Sequence, residues 1–140
     1  MPTVFTHIIE GRIPGTFVWK DDACVAFMTI NPIASGHVLV VPRAEIDHWI
    51  DCPDDLSAHL FDVSHVIGRA QMEAFGCARI GLIVAGYEVP HTHLHVIPTA
   101  DMSDLSFANA AVSVERTDLE SAAERIRAAL RRAGRAEVAA

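Results

Sequence analysis

The longest regular pattern in the chain runs from Pro53 to Phe75, where Leu56, Leu60, Val63, Ile67, Ala70 and Ala74 recur at intervals of three and four. That spacing predicts a long amphipathic helix, with Pro53 near its first turn, Asp54 and Asp55 at its positive end and Gly76 as its stop. Elsewhere the period shortens. "TFVWKDDACVAFM" holds two brief β-rich runs split by Lys20-Asp21-Asp22 and reads as a hairpin. After a loop marked by Asn31-Pro32 and Ser35-Gly36, Val38 to Val41 is a continuous apolar run, a buried strand that stops at Pro42. "RIGLIVAG" and "HLHVIP" predict two further strands around a tight connection from Gly86 to Pro90. "VFTHIIEG" forms a short helix-like opening. At the other end Thr117-x-x-Glu120 is a capping-box pattern for an Ala-rich helix through Leu130, stopped by Gly134, and residues 99–115 before it read as loop.

The order α, β, β, β, α, β, β, α, with hairpin-length connections, favours an α+β domain on an antiparallel sheet. A chain of 140 residues is one domain's worth, and no internal repeat interrupts it. Half of the residues are hydrophobic (51 %) and 21 % charged, which places the chain among globular proteins. The net charge of −7 opposes a duplex-binding surface, so nucleic acid is not the expected partner, although local donors can still hold a small phosphate ester. No uncharged apolar run approaches the roughly 18 residues that span a bilayer, and the N-terminus lacks the pattern of a signal peptide. Cys24, Cys52 and Cys77 are odd in number and widely spaced, as suits reduced thiols. These features predict a soluble, cytoplasmic protein.

The chemistry concentrates in "PHTHLHVIP", Pro90 to Pro98. The flanking prolines disfavour a helix, and on a strand His91, His93 and His95 share one face at about 6.5–7 Å intervals while Thr92, Leu94 and Val96 take the other. Neutral imidazole is both nucleophile and proton carrier, so such a face can attack one group and hold an anion with its neighbours. Alternatively, HxH can clamp a metal, with Glu88 as the one acid close in sequence. The bland reading is a polar strand face without a task. The remaining histidines, His7, His48, His59 and His65, read as surface or capping residues, Asp21-Asp22 as a solvated turn, Trp49 as a packing residue and the Arg-rich last helix as a solvated face.

His91-Thr92-His93-Leu94-His95-Val96-Ile97 matches the histidine-triad motif of the HIT superfamily of nucleotide hydrolases and transferases. "SGHVLVVPR" (35–43) resembles that family's Gly-His-x-Leu-Val-x-Pro strand, and the segment from Phe5 to Pro32 resembles its opening. The resemblance covers 4–98 and leaves 99–140 as a C-terminal extension with a helix.

It implies a HIT-like fold, a five-stranded antiparallel sheet with one long helix and a C-terminal helix. It also implies hydrolysis of nucleoside monophosphate derivatives such as an AMP phosphoramidate, purine preferred. His93 would attack the α-phosphorus to form a nucleotidyl-histidine, His95 would hold the phosphate oxygens, and His91 and His37 would orient the site. Ile30 would wall the base. No metal or cofactor is implied, and the related Hint branch pairs into homodimers.

The chain departs from the family in three places. Glu88 stands where a serine helps protonate the leaving group, and Thr29 where an acid or amide holds the ribose. Thr3, Thr6 and Glu45 stand where some bacterial members bind zinc, so that zinc is expected to be missing. A catalytically silent nucleotide-binding module and a metal-binding protein built on His91, His93 and Glu88 are the rival readings.

Overall fold

The computed structural model describes residues 1–139. Its elements follow the expected order: α1 (Val4–Ile9), β1 (Phe17–Lys20), β2 (Cys24–Met28), β3 (Val38–Pro42), α2 (Asp54–Phe75), β4 (Arg79–Ile83), β5 (Leu94–Thr99) and α3 (Arg116–Arg132). The strands form one antiparallel sheet in the order β1-β2-β3-β5-β4, so the fold is α+β with a five-stranded sheet, one long helix and a C-terminal helix.

Side chains alternate across the sheet and both faces are covered, which is why β2 and β3 read as unbroken apolar runs. One face carries Ala26, Met28, Val38, Val40, Leu94 and Val96 against Ile67 of α2 and Ile126 and Leu130 of α3. The other carries Val25, Phe27, Leu39 and Val41 beneath Phe5 of α1. Gln71, fully buried on α2, donates from Nε2 to the carbonyls of Gly36 and Val96 at 2.9 Å each, fastening the helix to the loop before β3. Gly36 must be glycine: its φ is +91° and a Cβ would sit 2.4 Å from the Phe75 ring. Gly76 ends α2 in the left-handed region as expected.

The two edges of the sheet differ. Along β1, Lys20 N–H donates to the Glu137 carbonyl and Ala139 N–H to Val18, so the C-terminal residues cover that edge. No strand covers β4 on its outer side among the described residues, and Leu82 is exposed there beside Phe61.

Four expectations need correction. The capping box at Thr117 does not form; α3 starts at Arg116 with Glu115 at its cap, no side chain closes the turn, and Glu120 pairs with Arg127 instead. The face of α3 is not wholly solvated, because Arg127 is buried and donates from Nε to the Phe17 carbonyl at 2.9 Å, while Arg132 reaches Glu73 of α2. Residues 99–115 contain two 3₁₀ turns, Met102–Leu105 and Phe107–Asn109. Finally, β5 begins at Leu94, so of the three motif histidines His95 alone lies within a strand. Pro90 and the bond from Thr92 N–H to the Ile46 carbonyl hold the residues ahead of it outside the ladder.

Candidate active site

Although His91 and His93 precede the strand, the alternation persists: Leu94 and Val96 enter the helix-covered core, and the three imidazoles gather on the α1 face. The Phe5 ring meets His91 and His93 edge-on, with centroids 5.7 and 5.0 Å away, and His93 meets His95 at 4.9 Å. His37, from the loop before β3, reaches the same group because Leu39 pairs with His95 across the ladder.

The hydrogen bonds determine where every ring proton sits. Ile33 N–H donates to His37 Nδ1 at 3.1 Å, so that nitrogen is bare and the hydrogen of the neutral ring is on Nε2. Nε2 lies 2.9 Å from His95 Nδ1 and donates to it, which leaves the His95 hydrogen on Nε2. His93 Nδ1 is 2.7 Å from the His91 carbonyl and must donate to it, leaving an unprotonated Nε2. His91 donates from Nε2 to the Pro42 carbonyl at 2.7 Å and accepts at Nδ1 from the Thr3 hydroxyl at 2.7 Å. The outcome is a bare ring nitrogen on His93 beside an N–H on His95.

Burial keeps His37, His93 and His95 neutral. It lowers His93, an effect partly offset by the bond to the His91 carbonyl and by the charge of Glu88. Burial, then the charge His93 would carry, brings His37 down to about 4 and His95 to about 3. Near pH 7 these three rings are uncharged.

His93 and His95 line a cavity of about 260 Å³ that also takes in Thr29, Ile30, Glu88 and Arg116. His91 and His37 stand behind it with both ring nitrogens engaged by the protein. His37, expected to orient the site, bears on any bound phosphate through His95. His91 likewise has no nitrogen free for a metal, so the His91, His93 and Glu88 ligand set does not assemble. Glu88 is exposed on the rim, without the burial that a proton-donating carboxyl requires. Thr29 accepts the Asn31 N–H at 3.2 Å, and Ile30 is exposed at the cavity mouth.

The sequence reading missed Phe107 and Arg116. The Phe107 ring lies edge-on to His95 at 4.9 Å, and its signal was a single aromatic residue in a stretch read as loop. Arg116 gave none, because it reaches the cavity from the first turn of a helix whose start was expected later. Thr3 was noted for zinc and serves instead as the α1 cap that holds His91. Thr3→Val is expected to cost about 1 kcal/mol as a lost cap and to lower turnover about tenfold by freeing His91, with Thr3→Ser restoring both. Thermal melts and kcat together would check this, and a melt shift with unchanged kcat would remove Thr3 from the site.

Comparison with known proteins adds the following. The family described as "HIT domain" matches residues 10–102. An uncharacterized HIT-like protein of Methanocaldococcus jannaschii is 33 % identical over 99 residues, 68 % of this chain and 77 % of the relative. The adenylylsulfatase HINT3 of Arabidopsis thaliana is 28 % identical over 134 residues, 92 % of this chain and 68 % of the relative. A Zn-bound histidine triad family protein from Mycobacterium smegmatis superposes with a TM-score of 0.81 at 26 % identity, covering 94 % of each chain. At the positions named above for zinc, this chain offers two hydroxyls and a carboxylate that are already engaged: the Thr3 hydroxyl donates to His91, and Glu45 accepts from Thr3 N–H and from the Thr6 hydroxyl. Neutral hydroxyls are not among the thiolate, imidazole and carboxylate donors of structural zinc, so this set does not fit the ion.

Proposed function

The chain belongs to the HIT family, a superfamily of nucleotide-binding and hydrolytic proteins, and from that membership we propose that it hydrolyses nucleoside monophosphate derivatives, with an AMP phosphoramidate as the model substrate and purines preferred. His93 Nε2 attacks the α-phosphorus as the bond to the leaving nitrogen breaks and the departing amine takes a proton from solvent. Water then displaces the histidine, giving AMP and free enzyme. His95 donates its Nε2–H to the phosphate oxygens, and His37 holds that hydrogen in place. His91 fixes the tautomer of His93 through its carbonyl. Ile30 and Thr29 border the nucleoside, and residues after 98 act in the same single domain because Phe107 and Arg116 reach the site.

The observation that carries this reading is the bond from His93 Nδ1 to the His91 carbonyl, which leaves the opposite nitrogen bare in the cavity wall. Glu88 bears on the leaving group. Its charge acts on His93 from the lining of the same cavity, and a carboxylate there would repel a departing anion, which favours amines over sulfate or phosphate. The test is AMP release from adenosine 5′-phosphoramidate and from adenylyl sulfate, with a chelator present. Metal-independent turnover, faster on the phosphoramidate, is expected; binding of AMP without turnover of either compound would mean a silent nucleotide-binding module.

We also propose a homodimer, in the cytoplasm that three unpaired cysteines suit. The uncovered β4 edge adjoins Leu82, Phe61, Met72 and Trp49, each at least 41 % exposed, and such a patch calls for a partner. Leu82→Glu is expected to convert the species seen by light scattering to a monomer, and an unchanged mass would move the interface elsewhere.

A further inference from the structure

On the opposite face of the sheet, the turn joining β1 to β2 meets α2. We propose that Asp21, Cys24 and His59 there form a binding site for one divalent transition-metal ion of the zinc class. Their donor atoms all lie within 4.8 Å of one another. Asp21 Oδ2 is 2.8 Å from His59 Nε2 and 3.6 Å from Cys24 Sγ. A tetrahedral ion bonded at 2.0–2.3 Å spaces its donors roughly 3.3–3.8 Å apart, so the Asp21–His59 pair must open by about half an ångström while Cys24 and His59, within 4.8 Å, close by no more than about 1 Å. Thiolate, imidazole and carboxylate are the three donor kinds that zinc takes.

The surroundings support ligation. The Trp19 indole N–H donates to Asp21 Oδ2 at 2.8 Å, and the N–H groups of Ala23 and Cys24 hold Oδ1 at 2.8 Å each. These donors orient the carboxylate as outer partners orient metal ligands. Although burial pushes the Asp21 carboxyl upward, the hydrogen bonds from Trp19, Cys24, His59 and Ala23 outweigh it and hold the group at about 2, ionised and ready to bind. Cys24 is wholly buried, whereas the His59 side chain is 40 % exposed, so an ion can enter past His59 and keep water as its fourth ligand.

Binding forms a metal–sulfur bond as the S–H bond breaks, and the thiol proton leaves to solvent. In the free protein His59 donates from Nε2 to the Asp21 carboxylate, so on binding that hydrogen moves by way of solvent to Nδ1 and the freed Nε2 lone pair takes the ion. Burial and the charge of Asp21 hold the free thiol protonated, while Arg43, whose Nε holds the Asp21 carbonyl at 2.8 Å, favours the thiolate. One proton is therefore released per ion. The bound ion would tie α2 to the hairpin, away from His93.

Cobalt(II) is the probe, added to chelator-stripped full-length protein. A thiolate-to-cobalt charge-transfer band at one equivalent is expected, displaced by zinc and retained in Cys77→Ser. His59→Gln, a half-exposed site that keeps the fold, should weaken binding about tenfold or more and abolish the rise in melting temperature that zinc gives the parent. Cys24→Ser should lose the band. Histidines elsewhere can take cobalt but give no thiolate band. Absence of the band, or its survival in both His59→Gln and Cys24→Ser, would overturn the site.

Discussion

His93→Ala is expected to lower AMP release from adenosine 5′-phosphoramidate by about 10⁴- to 10⁶-fold, the loss that follows removal of a covalent nucleophile. The size of the effect comes from the wiring around the ring. Nδ1 donates to the His91 carbonyl, Nε2 is bare, and Phe5 holds the ring edge-on, so no neighbouring imidazole can take over. His91 has both nitrogens committed, and His95 presents an N–H where a lone pair would be needed. Two assays check this. Steady-state release of AMP should vanish in His93→Ala, while AMP binding by calorimetry survives. Mass spectrometry of acid-labile adducts after rapid mixing should show a nucleotidyl group on the parent and none on the variant. A variant that retains more than about a tenth of the parent rate would remove His93 as nucleophile.

The second large effect is on stability against acid. In the unfolded chain His37 and His95 take up protons near pH 6.5. In the folded protein burial holds His37 down at about 4 and His95 at about 3. Between these values the unfolded state binds protons that the folded state refuses. The stability these rings contribute is therefore complete above pH 6.5 and drains away as the pH falls. The slope is about 1.4 kcal/mol per pH unit per group, which amounts to about 3 kcal/mol for His37 alone by pH 4. That is a large fraction of a typical domain's stability. Urea unfolding at pH 7.5, 6.5, 5.5 and 4.5 should show the midpoint falling steeply below 6.5. A midpoint unchanged across that window would mean that the buried rings accept their protons in place. Turnover should resist acid better than an exposed histidine would allow, because the lowered His93 keeps its lone pair below pH 6.5.

The order of elements, the long helix and the strands were readable because each carries its own period or its own breaker, as Gly76 and Pro42 do. The triad was readable for the same reason, with alternation putting His91, His93 and His95 on one face. What escaped depends on contacts far apart in sequence. Nothing local in Thr3 announces a bond to a ring 88 residues away, and nothing near Ile33 says that its N–H orders the tautomers of two histidines. The end of α3 was legible, but its start was not, because Glu115 and Arg116 open the helix without a side-chain cap and the Thr-x-x-Glu pattern mimicked one two residues later. His59 and Asp21 looked unremarkable apart and acquire meaning from their 2.8 Å approach.

The two edges of the sheet also govern how copies of this chain can add to one another. The C-terminal residues 137–139 lie along β1, taking the Lys20 N–H and the Val18 carbonyl, and so stand in the path of an incoming strand. Among the described residues, β4 is the sheet edge left open to strand addition. In the dimer proposed above, two β4 edges pair about a two-fold axis and each sheet ends at a β1 edge lined by residues 137–139, an arrangement that would stop strand addition short of ribbon or fibre growth.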